Sequence, residues 1–268
     1  MYYSELEHNI SSSSYTREKD QKSAVDVIIR TYNSGATLEK CISSVMKMKD
    51  LGRIIVIDHM SKDNTEAICR NAGCEYYRED KGLGFATSTG ILKSNTPYVL
   101  FVDSDVQVLD FDFIPAGKKF LSDGKTGAVV GDTLDHPFSY GVPLGLTMFR
   151  RSDLLQIRIP DSIQGRETYF IQKYLRENHL RVRYIRNAKI HSSPVRSNIH
   201  WPEWQGSYVR ITSGLNLREF LYSHLVIFLL LSNSKRLKNL IYFPVFQAKF
   251  TRGFLFPEKW KNMKREPS

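Results

Sequence analysis

Four short apolar runs, each separated from the next by a segment of helical character, constrain this chain more than any other feature. The runs are Val25 to Ile29, Arg53 to Ile57, Cys74 to Tyr77 and Tyr98 to Val102. The second is continuously apolar from Ile54 to Ile57, as in strands that are buried on both faces of a parallel sheet. Strand alternating with helix predicts an α/β fold with a doubly wound, mostly parallel sheet.

Helices are predicted between these runs from the spacing of apolar residues. The predicted segments are Thr37 to Met48, about Thr65 to Asn71, and a segment from the Lys81-Gly82-Leu83-Gly84 turn to near Ser94. Further along, strands are predicted at Gly127 to Gly131, Gly145 to Phe149 and Val182 to Ile185, with helices beginning at Ser152-Asp153 and spanning Glu167 to Arg176.

The pattern also predicts how the chain is divided. Residues 1–23 are polar, with a serine run, and predict a disordered leader. Residues 24–200 carry the α/β pattern, which is regular over 24–107 and less regular over 108–200. Residues 201–268 form an amphipathic, basic and aromatic C-terminal region, predicted to be a helical extension at a membrane interface.

Charge and cysteine content narrow the classes of function. The net charge of +10 favours nucleic acid, an anionic membrane surface or a phosphate-rich substrate as partner. Three cysteines without metal-ligand spacing, and no secretory signal, predict reduced thiols in the cytoplasm. No segment has the roughly 20 apolar residues that span a bilayer.

Two carboxylates follow the fourth apolar run. Asp103 and Asp105 flank Ser104 where the predicted strand ends and the chain turns. Hard oxygen ligands there suit Mg²⁺ or Mn²⁺, which keep waters and bind substrate phosphates. Taken alone, the pattern also fits a solvated turn or an Asx cap.

Other polar turns accompany the first three runs. They are Arg30 to Gly35, Asp58 to Thr65, and Lys81 to Gly84. Ligands of open α/β sheets bind beyond the carboxyl ends of the strands. The turns therefore predict a ligand site at one edge of the sheet.

Together these residues resemble glycosyltransferase family 2, the inverting nucleotide-sugar enzymes with the GT-A fold, from about Val25 to His191. The resemblance implies that residues 24–107 bind the nucleotide of a UDP- or GDP-sugar and that residues 108–200 bind the acceptor. It implies that the donor is bound by Thr31, Tyr32, Asn33, Asp58, Lys81, Gly82, Gly84, Asp103 and Ser104, and the Mg²⁺ or Mn²⁺ by Asp105, Asp103, His191 and Gln107. Arg78, which follows a predicted strand, is a further candidate for binding the donor.

Several of these residues have structural alternatives. Asp58 can cap the next helix together with Ser61 and Asp63. Arg78 can contact a phosphate or form a surface salt bridge. Gly82 and Gly84 can serve a close approach of the donor or only a tight turn, and His191 can be a third metal ligand, a phosphate contact or a structural histidine.

The acceptor half offers one candidate base. Gly165-Arg166-Glu167-Thr168 stands in the place of the family's acidic pair, so the resemblance makes Glu167 the general base, with Arg166 replacing the first acid. Glu167 can instead be a first-turn helix acid. Asp132 and Asp135 are reserve candidates.

Some residues depart from the family pattern. His59-Met60 replace an acidic or small residue followed by glycine, so the resemblance does not specify which nucleotide base is bound. Ser88 stands where asparagine is frequent. Gln107 completes the D-x-D-x-Q pattern of polyprenyl-phosphate sugar synthases, whose acceptor is already a phosphate and needs no base.

The C-terminal region interleaves aromatic and cationic residues after the apolar run Leu225 to Leu231. Such a mixture favours a lipid headgroup interface, although a helix packed on the domain with a basic outer face would show it too. The residues are Lys235, Arg236, Lys238, Tyr242, Phe243, Phe246, Lys249, Phe250, Arg252, Phe254, Phe256, Lys259, Trp260 and Lys261.

These observations lead to one main hypothesis and two alternatives. The main hypothesis is a metal-dependent inverting glycosyltransferase, peripheral on the cytoplasmic face of the cell membrane, that acts on a glycan or lipid-linked acceptor and does not bind nucleic acid. The alternatives are a polyprenyl-phosphate sugar synthase and a nucleic-acid-binding protein that uses the basic tail.

Overall fold

The computed structural model describes residues 24–133, 142–192, 201–232 and 243–257. Within these residues the chain forms two units. The first unit contains residues 24–133, 142–162 and 170–192, and the second contains 163–169, 201–232 and 243–257. The predicted leader 1–23 and the reserve candidate Asp135 lie outside the described residues, as do the C-terminal cations and aromatics in 233–242 and 258–268.

The strands of the described residues all belong to the first unit. They are β1 (Val25–Thr31), β2 (Leu51–Asp58), β3 (Glu75–Arg78), β4 (Tyr98–Asp103), β5 (Val106–Val108), β6 (Thr126–Thr133), β7 (Leu146–Arg150) and β8 (Arg181–His191). They form one sheet in the order β3-β2-β1-β4-β7-β6-β8-β5.

The helices follow the strands along the chain. They are α1 (Leu38–Val45), α2 (Thr65–Asn71), α3 (Leu83–Lys93), α4 (Phe113–Leu121), α5 (Arg151–Leu154), α6 (Thr168–Glu177), α7 (Trp201–Ser213), α8 (Leu217–Ser232) and α9 (Phe243–Leu255).

Strand pairing confirms the predicted α/β architecture. The strands β3, β2, β1 and β4 pair in parallel, while β7 pairs antiparallel with both β4 and β6. The β-branched runs at the centre of this sheet are buried, because helices cover both faces of parallel sheets. Alternate side chains of these runs join one apolar core with Leu38, Ile42 and Val45 of α1. Ile55 and Ile57 belong to a separate apolar cluster with Ala86 of α3.

Some elements differ from the prediction or were absent from it. The first strand continues to Thr31, and β8 extends from Arg181 to His191. The short strand β5 and the helix α4 were not predicted, since three residues carry too little periodicity and α4 begins with Phe-Ile-Pro. The predicted divisions after residues 23, 107 and 200 stay predictions.

Helices make up the second unit. Gly206 of α7 and Gly253 of α9 bring these helices into backbone contact, because a Cβ at Gly206 would lie 1.9 Å from the carbonyl oxygen of Phe250. The Ser207 hydroxyl lies 3.0 Å from the carbonyl oxygens of both Glu203 and Gly253 and can donate a hydrogen bond to either. Within the described residues, no helix is long and apolar enough to cross a membrane.

Candidate functional site

The carboxyl ends of β1, β2 and β4 lie side by side. In the sheet register Thr31 is opposite Asp58, and Arg30 is opposite Asp103. The prediction that these polar turns meet at one edge is therefore confirmed as geometry. The functional roles of the individual residues at this edge stay predictions.

Arg30 and Asp103 form an ion pair at this edge. Arg30 Nη2 donates to Asp103 Oδ1 at 3.2 Å, and Arg30 Nη1 donates to the Thr87 hydroxyl of α3 at 3.2 Å. The Arg30 side chain is 9% exposed and that of Asp103 is 42% exposed. A largely buried guanidinium thus orients a carboxylate that solvent can reach.

Asp105 lies next to His191. Its Oδ1 is 3.6 Å from His191 Nδ1, and both side chains are partly exposed. The neighbouring imidazole lowers the pKa of Asp105, and this effect outweighs the opposite effect of burial. The two residues meet because β5 and β8 pair antiparallel, with Val106 opposite His191.

The other two residues of the acidic motif make side-chain contacts nearby. The Ser104 hydroxyl lies 2.8 Å from the Ser34 hydroxyl, which joins the turn after β4 to the turn after β1. The Gln107 amide nitrogen donates to the Ser192 hydroxyl at 2.6 Å.

A buried lysine adds charge to the same edge. Lys189 is 4% exposed, and a Cβ placed on Gly145 would lie 2.8 Å from its ammonium and 3.2 Å from Asp103 Oδ2. Burial lowers the pKa of Lys189, while Asp103, Asp132 and Asp105 act in the opposite direction. Asp132, a reserve base in the sequence, is one of the carboxylates that acts on Lys189.

The described residues offer donor groups that would suit part of a divalent-metal site. Asp105 and His191 are adjacent and accessible, but the described residues contain no group of three or more His, Cys, Asp or Glu side chains arranged to hold a metal. Mg²⁺ and Mn²⁺ are commonly bound by one or two protein ligands together with substrate phosphates. The donor set fits a metal that shares its coordination with a diphosphate.

The Asp58 carboxylate is enclosed by its own turn. It is fully buried, and its oxygens accept hydrogen bonds from the backbone and hydroxyl of Ser61 and from the Tyr76 hydroxyl, the last at 2.8 Å. These bonds lie within the turn after β2 and reach Tyr76 of β3, and none of them goes to a backbone N–H of α2, the helix that Asp58 would cap in the structural alternative. Contact between Asp58 and a nucleotide stays a prediction.

The turns after β1 and β2 are joined by hydrogen bonds. The Asn33 N–H donates to the Ser61 hydroxyl at 2.7 Å, and Asn33 Oδ1 accepts from the Lys62 N–H at 2.9 Å. Asn33 has a φ of 48°, the left-handed conformation that asparagine tolerates. Within the described part of the chain, the buried Thr31 hydroxyl has no hydrogen-bond partner.

Glu79 organises the turn that leads into α3. Its Oε2 accepts from the backbone N–H groups of Lys81 at 2.8 Å and Gly82 at 2.7 Å. Gly82 has a φ of 126°, which L side chains rarely adopt. Gly84 is buried in the first turn of α3.

Two cations of this region have surface positions. Lys81 Nζ lies 4.3 Å from the centre of the Phe85 ring. Arg78 is exposed and lies 3.9 Å from Glu66, which matches its surface salt-bridge alternative. Both cations can be reached from solvent.

The predicted base belongs to the second unit. Glu167 is 5% exposed and immediately precedes α6. Its neighbour Arg166 donates to the Thr212 hydroxyl at 2.8 Å and to Glu219 at 3.0 Å. Burial lowers the pKa of Arg166, and the Glu219 carboxylate opposes this effect. Arg166, which replaces an acid of the family pattern, is thus held by an ion pair.

Three residues of this edge were not assigned a role from the sequence. Arg30 lay at the end of an apolar run, Glu79 followed a short strand, and Lys189 alternated with apolar residues. A charged residue at the carboxyl end of a buried strand is the signal that could have identified Arg30. Neither Glu79 nor Lys189 stands in a recognisable motif.

Comparison of the sequence with protein families supports one assignment. The profile described as "Glycosyl transferase family 2" matches residues 26–174. Glycosyltransferase AglE of Haloferax volcanii is 31% identical over 91 residues, which cover 30% of this chain and 30% of that protein. The poly(ribitol-phosphate) β-N-acetylglucosaminyltransferase TarP of Staphylococcus aureus is 39% identical over 92 residues, 30% of this chain and 28% of that protein. The matched segments therefore span less than a third of these curated relatives.

Solved structures show the same fold. The mannosyltransferase PcManGT of Pyrobaculum calidifontis, in complex with GDP-Man and Mn²⁺, is similar with a TM-score of 0.64 and 16% identity, over 89% of this chain and 88% of that chain. Glucosyl-3-phosphoglycerate synthase of Mycobacterium tuberculosis is similar with a TM-score of 0.53 and 17% identity, over 64% of this chain and 73% of that chain. The fold is the predicted GT-A fold. Since the family profile covers more than half of its length, this chain belongs to glycosyl transferase family 2.

Proposed function

We propose that this protein is an inverting glycosyltransferase that transfers a sugar from a UDP- or GDP-sugar to a glycan or lipid-linked acceptor. One observation carries the proposal: Arg30, Asp103, Asp105 and His191 lie together at the carboxyl edge of the sheet of a family 2 domain. The cations at this edge suit the diphosphate of a donor, and the accessible carboxylates suit a divalent metal.

Charge at this edge supports departure of the nucleoside diphosphate. We assign Asp105 and His191 as protein ligands of Mg²⁺ or Mn²⁺, with Asp103, Ser104 and Gln107 around them. When bound, the metal would neutralise negative charge that develops on the leaving diphosphate. The structure of PcManGT with GDP-Man and Mn²⁺ supports such a pairing of donor and metal by analogy of fold.

The remaining donor contacts are proposed from position. Thr31, Tyr32 and Asn33 lie at the end of β1, and Lys81, Gly82 and Gly84 form the turn into α3. Lys81 and Arg78 are exposed cations that can meet phosphate oxygens. We assign Glu167 as the base that accepts the proton of an acceptor hydroxyl.

Substitution of Asp105 tests the proposal. Purified protein is assayed with a panel of UDP- and GDP-sugars, with Mn²⁺ or Mg²⁺, for release of the nucleoside diphosphate. We expect Asp105→Asn to lose at least about a hundredfold in kcat/KM, on the order of 3 kcal/mol of transition-state stabilisation. Asp112→Asn, an exposed carboxylate that pairs with Lys49, is the matched control. Full activity of Asp105→Asn with an unchanged metal requirement would contradict the proposed metal site.

The role of Glu167 separates two kinds of acceptor. A hydroxyl acceptor requires a base, so Glu167→Gln should lower kcat by about a hundredfold or more. A polyprenyl-phosphate acceptor requires none, and the variant should then remain active. No contact of Gln107 favours this second kind of acceptor, since the only side-chain hydrogen bond that it donates in the described residues goes to Ser192.

An apolar stripe on α8 supports attachment to a membrane. Leu217, Leu221 and Leu225 recur every four residues on one face of the helix and are 68%, 58% and 53% exposed. Leu215, which precedes the helix, is 75% exposed as well. Phe220 lies elsewhere on the helix and packs against the rings of Phe250 and Phe254 of α9.

We propose that the leucine stripe inserts into an anionic lipid surface. Charge favours an anionic surface as the partner, because the chain carries a net charge of +10. The cations Arg218 of α8 and Arg252 of α9 are also exposed in this unit. Basic residues beside an inserting apolar face are typical of peripheral membrane helices. The exposed Tyr222 ring is of the kind enriched at such interfaces.

Vesicle flotation tests this attachment. We expect the protein to float with anionic vesicles, to float less with neutral ones, and to lose flotation in Leu221→Glu. Leu92→Glu, which changes a leucine that is 67% exposed in the first unit, is the matched control. Undiminished flotation of Leu221→Glu would contradict the proposal, as would preferential binding to RNA or DNA in place of vesicles.

A further inference from the structure

Of the two residues at the end of β2, the one that the family resemblance assigned to the donor is not the one that solvent can reach. Asp58 is fully buried and accepts hydrogen bonds from Ser61 and Tyr76. The next residue, His59, has a side chain that is 24% exposed at the same edge of the sheet. Its ring lies 5.5 Å from that of Tyr32, centre to centre, with an angle of 62° between the planes. The two rings form an aromatic corner at the ends of β1 and β2.

A buried carboxylate orients this histidine. His59 Nδ1 lies 2.6 Å from Glu79 Oε1, and the Glu79 side chain is 1% exposed. Glu79 Oε2 accepts the backbone N–H groups of Lys81 and Gly82. One side chain therefore fixes both the imidazole and the turn into α3.

The hydrogen bonds of Glu79 determine the tautomer of the neutral imidazole. A carboxylate only accepts hydrogen bonds, so the proton shared with His59 is carried by Nδ1. The other ring nitrogen, Nε2, then carries a lone pair and acts as an acceptor. An acceptor in an aromatic corner suits a flat ligand with a ring N–H at its edge.

We propose that His59, held by Glu79, recognises the base of the nucleotide and selects bases that present a ring N–H. This inference rests on the proposed function. Uracil and guanine present such a donor, whereas cytosine and adenine present an acceptor at the corresponding ring nitrogen. A cytosine or adenine ring would place two lone pairs against each other and leave Nε2 without a donor, so the desolvation of that nitrogen would be uncompensated.

Glu79 also couples His59, which would contact the nucleotide base, to the turn into α3, which would contact the diphosphate. Its second oxygen holds the Lys81 and Gly82 amides, so a movement of Glu79 would displace the turn into α3 as well as His59. We therefore assign His59 as a specificity-determining residue and Glu79 as a positioning residue.

Binding of free nucleoside diphosphates tests the proposal without requiring catalysis. The affinities of UDP, GDP, CDP and ADP are measured by calorimetry with the full chain and Mg²⁺. We expect the tighter of UDP and GDP to bind at least about tenfold more strongly than CDP or ADP, which corresponds to about 1.4 kcal/mol. In His59→Phe, which keeps an aromatic ring but removes the acceptor, this ratio should fall to about one.

Glu79→Gln gives a sharper result because it is isosteric. The two backbone N–H groups require the oxygen of the new side-chain amide, so the NH₂ group of that amide must face His59 Nδ1. His59 must then accept at Nδ1 and carry its proton on Nε2. We expect the preference to move toward CDP or ADP, with a weaker affinity for all four nucleotides. Glu75→Gln in the same strand region is the control and should leave the ratio unchanged.

The outcomes separate this inference from the proposed function. If His59→Phe keeps the wild-type ratio, His59 does not select the base, and a wild type that prefers CDP or ADP overturns the proposal directly. In both cases nucleotide binding still supports a glycosyltransferase. If no nucleotide binds to the wild type and no sugar is transferred, the proposed function fails as well. Should Glu79→Gln fail to fold, His59→Phe decides the question alone.

Discussion

The glycine contact between α7 and α9 gives the sharpest prediction for stability. A Cβ at Gly206 would lie 1.9 Å from the Phe250 carbonyl oxygen, and one at Gly253 would lie 1.9 Å from the Glu203 carbonyl oxygen. Ordinary contact begins at 3.4 Å, so either alanine substitution must separate the two helices by about 1.5 Å. Backbone carbonyls cannot rotate away as a side chain would.

The expected loss follows from two opposing terms. Overpacking of this kind costs about 3 kcal/mol, at the upper end of the usual range. Alanine returns about 1 kcal/mol because it is the better helix former. We therefore expect Gly206→Ala and Gly253→Ala each to lower the free energy of unfolding of the second unit by about 2 kcal/mol.

The double variant distinguishes helix separation from other causes. Once one alanine has separated the helices, the second meets little further resistance, so the double variant should lose about 2 to 3 kcal/mol and not the sum of both losses. The tryptophans within the described residues, Trp201 and Trp204, both belong to the second unit, so urea denaturation followed by tryptophan fluorescence reports on that unit.

Gly117→Ala provides the control. This glycine is also helical, but its added Cβ would meet Met148 Sδ, an atom of a flexible side chain in the first unit. We expect a smaller loss and no change in the tryptophan transition. Fully additive losses in the double variant, or unchanged stability in both single variants, would refute the helix-separation argument.

Three further predictions concern the first unit. Burial raises the pKa of Asp26, but hydrogen bonds from Arg53 and neighbouring groups outweigh burial and lower the pKa overall. Asp26 therefore stabilises the fold at pH values above its unfolded-state pKa, and this stabilisation is lost as the pH falls through its folded-state pKa. Asp26→Asn should cost about 2 kcal/mol at neutral pH in urea denaturation and less at acidic pH, and an equal loss at both pH values would contradict this. Gly145→Ala should displace the Lys189 ammonium and lower the free energy of unfolding by about 1–3 kcal/mol, and Gly145→Ser should lower it by at least as much. Unchanged unfolding midpoints in both variants would show that a side chain at position 145 does not crowd Lys189. Arg30→Met should weaken binding of nucleoside diphosphate by about tenfold in calorimetry, and unchanged affinity would separate Arg30 from the phosphates.

The sequence alone determined the architecture because a buried segment must carry apolar residues at the positions that face the core. Continuous β-branched runs such as Ile54 to Ile57 are required where a strand is covered on both faces, and the spacing of Leu38, Ile42 and Val45 shows which face of α1 meets the sheet. The order of these elements also placed the polar turns at the carboxyl ends of the strands. The predicted edge of the sheet was thus correct.

Only the tertiary structure decided which side chains at that edge are accessible and which are engaged. Asp58 and His59 are adjacent in sequence, yet Asp58 is buried among Ser61 and Tyr76 while His59 faces Tyr32 and Glu79. Lys189 reaches the acidic motif because β8 pairs with both β5 and β6. Contacts between residues so distant in sequence depend on which strands are neighbours in the sheet, and the apolar pattern of a single strand does not specify its neighbours.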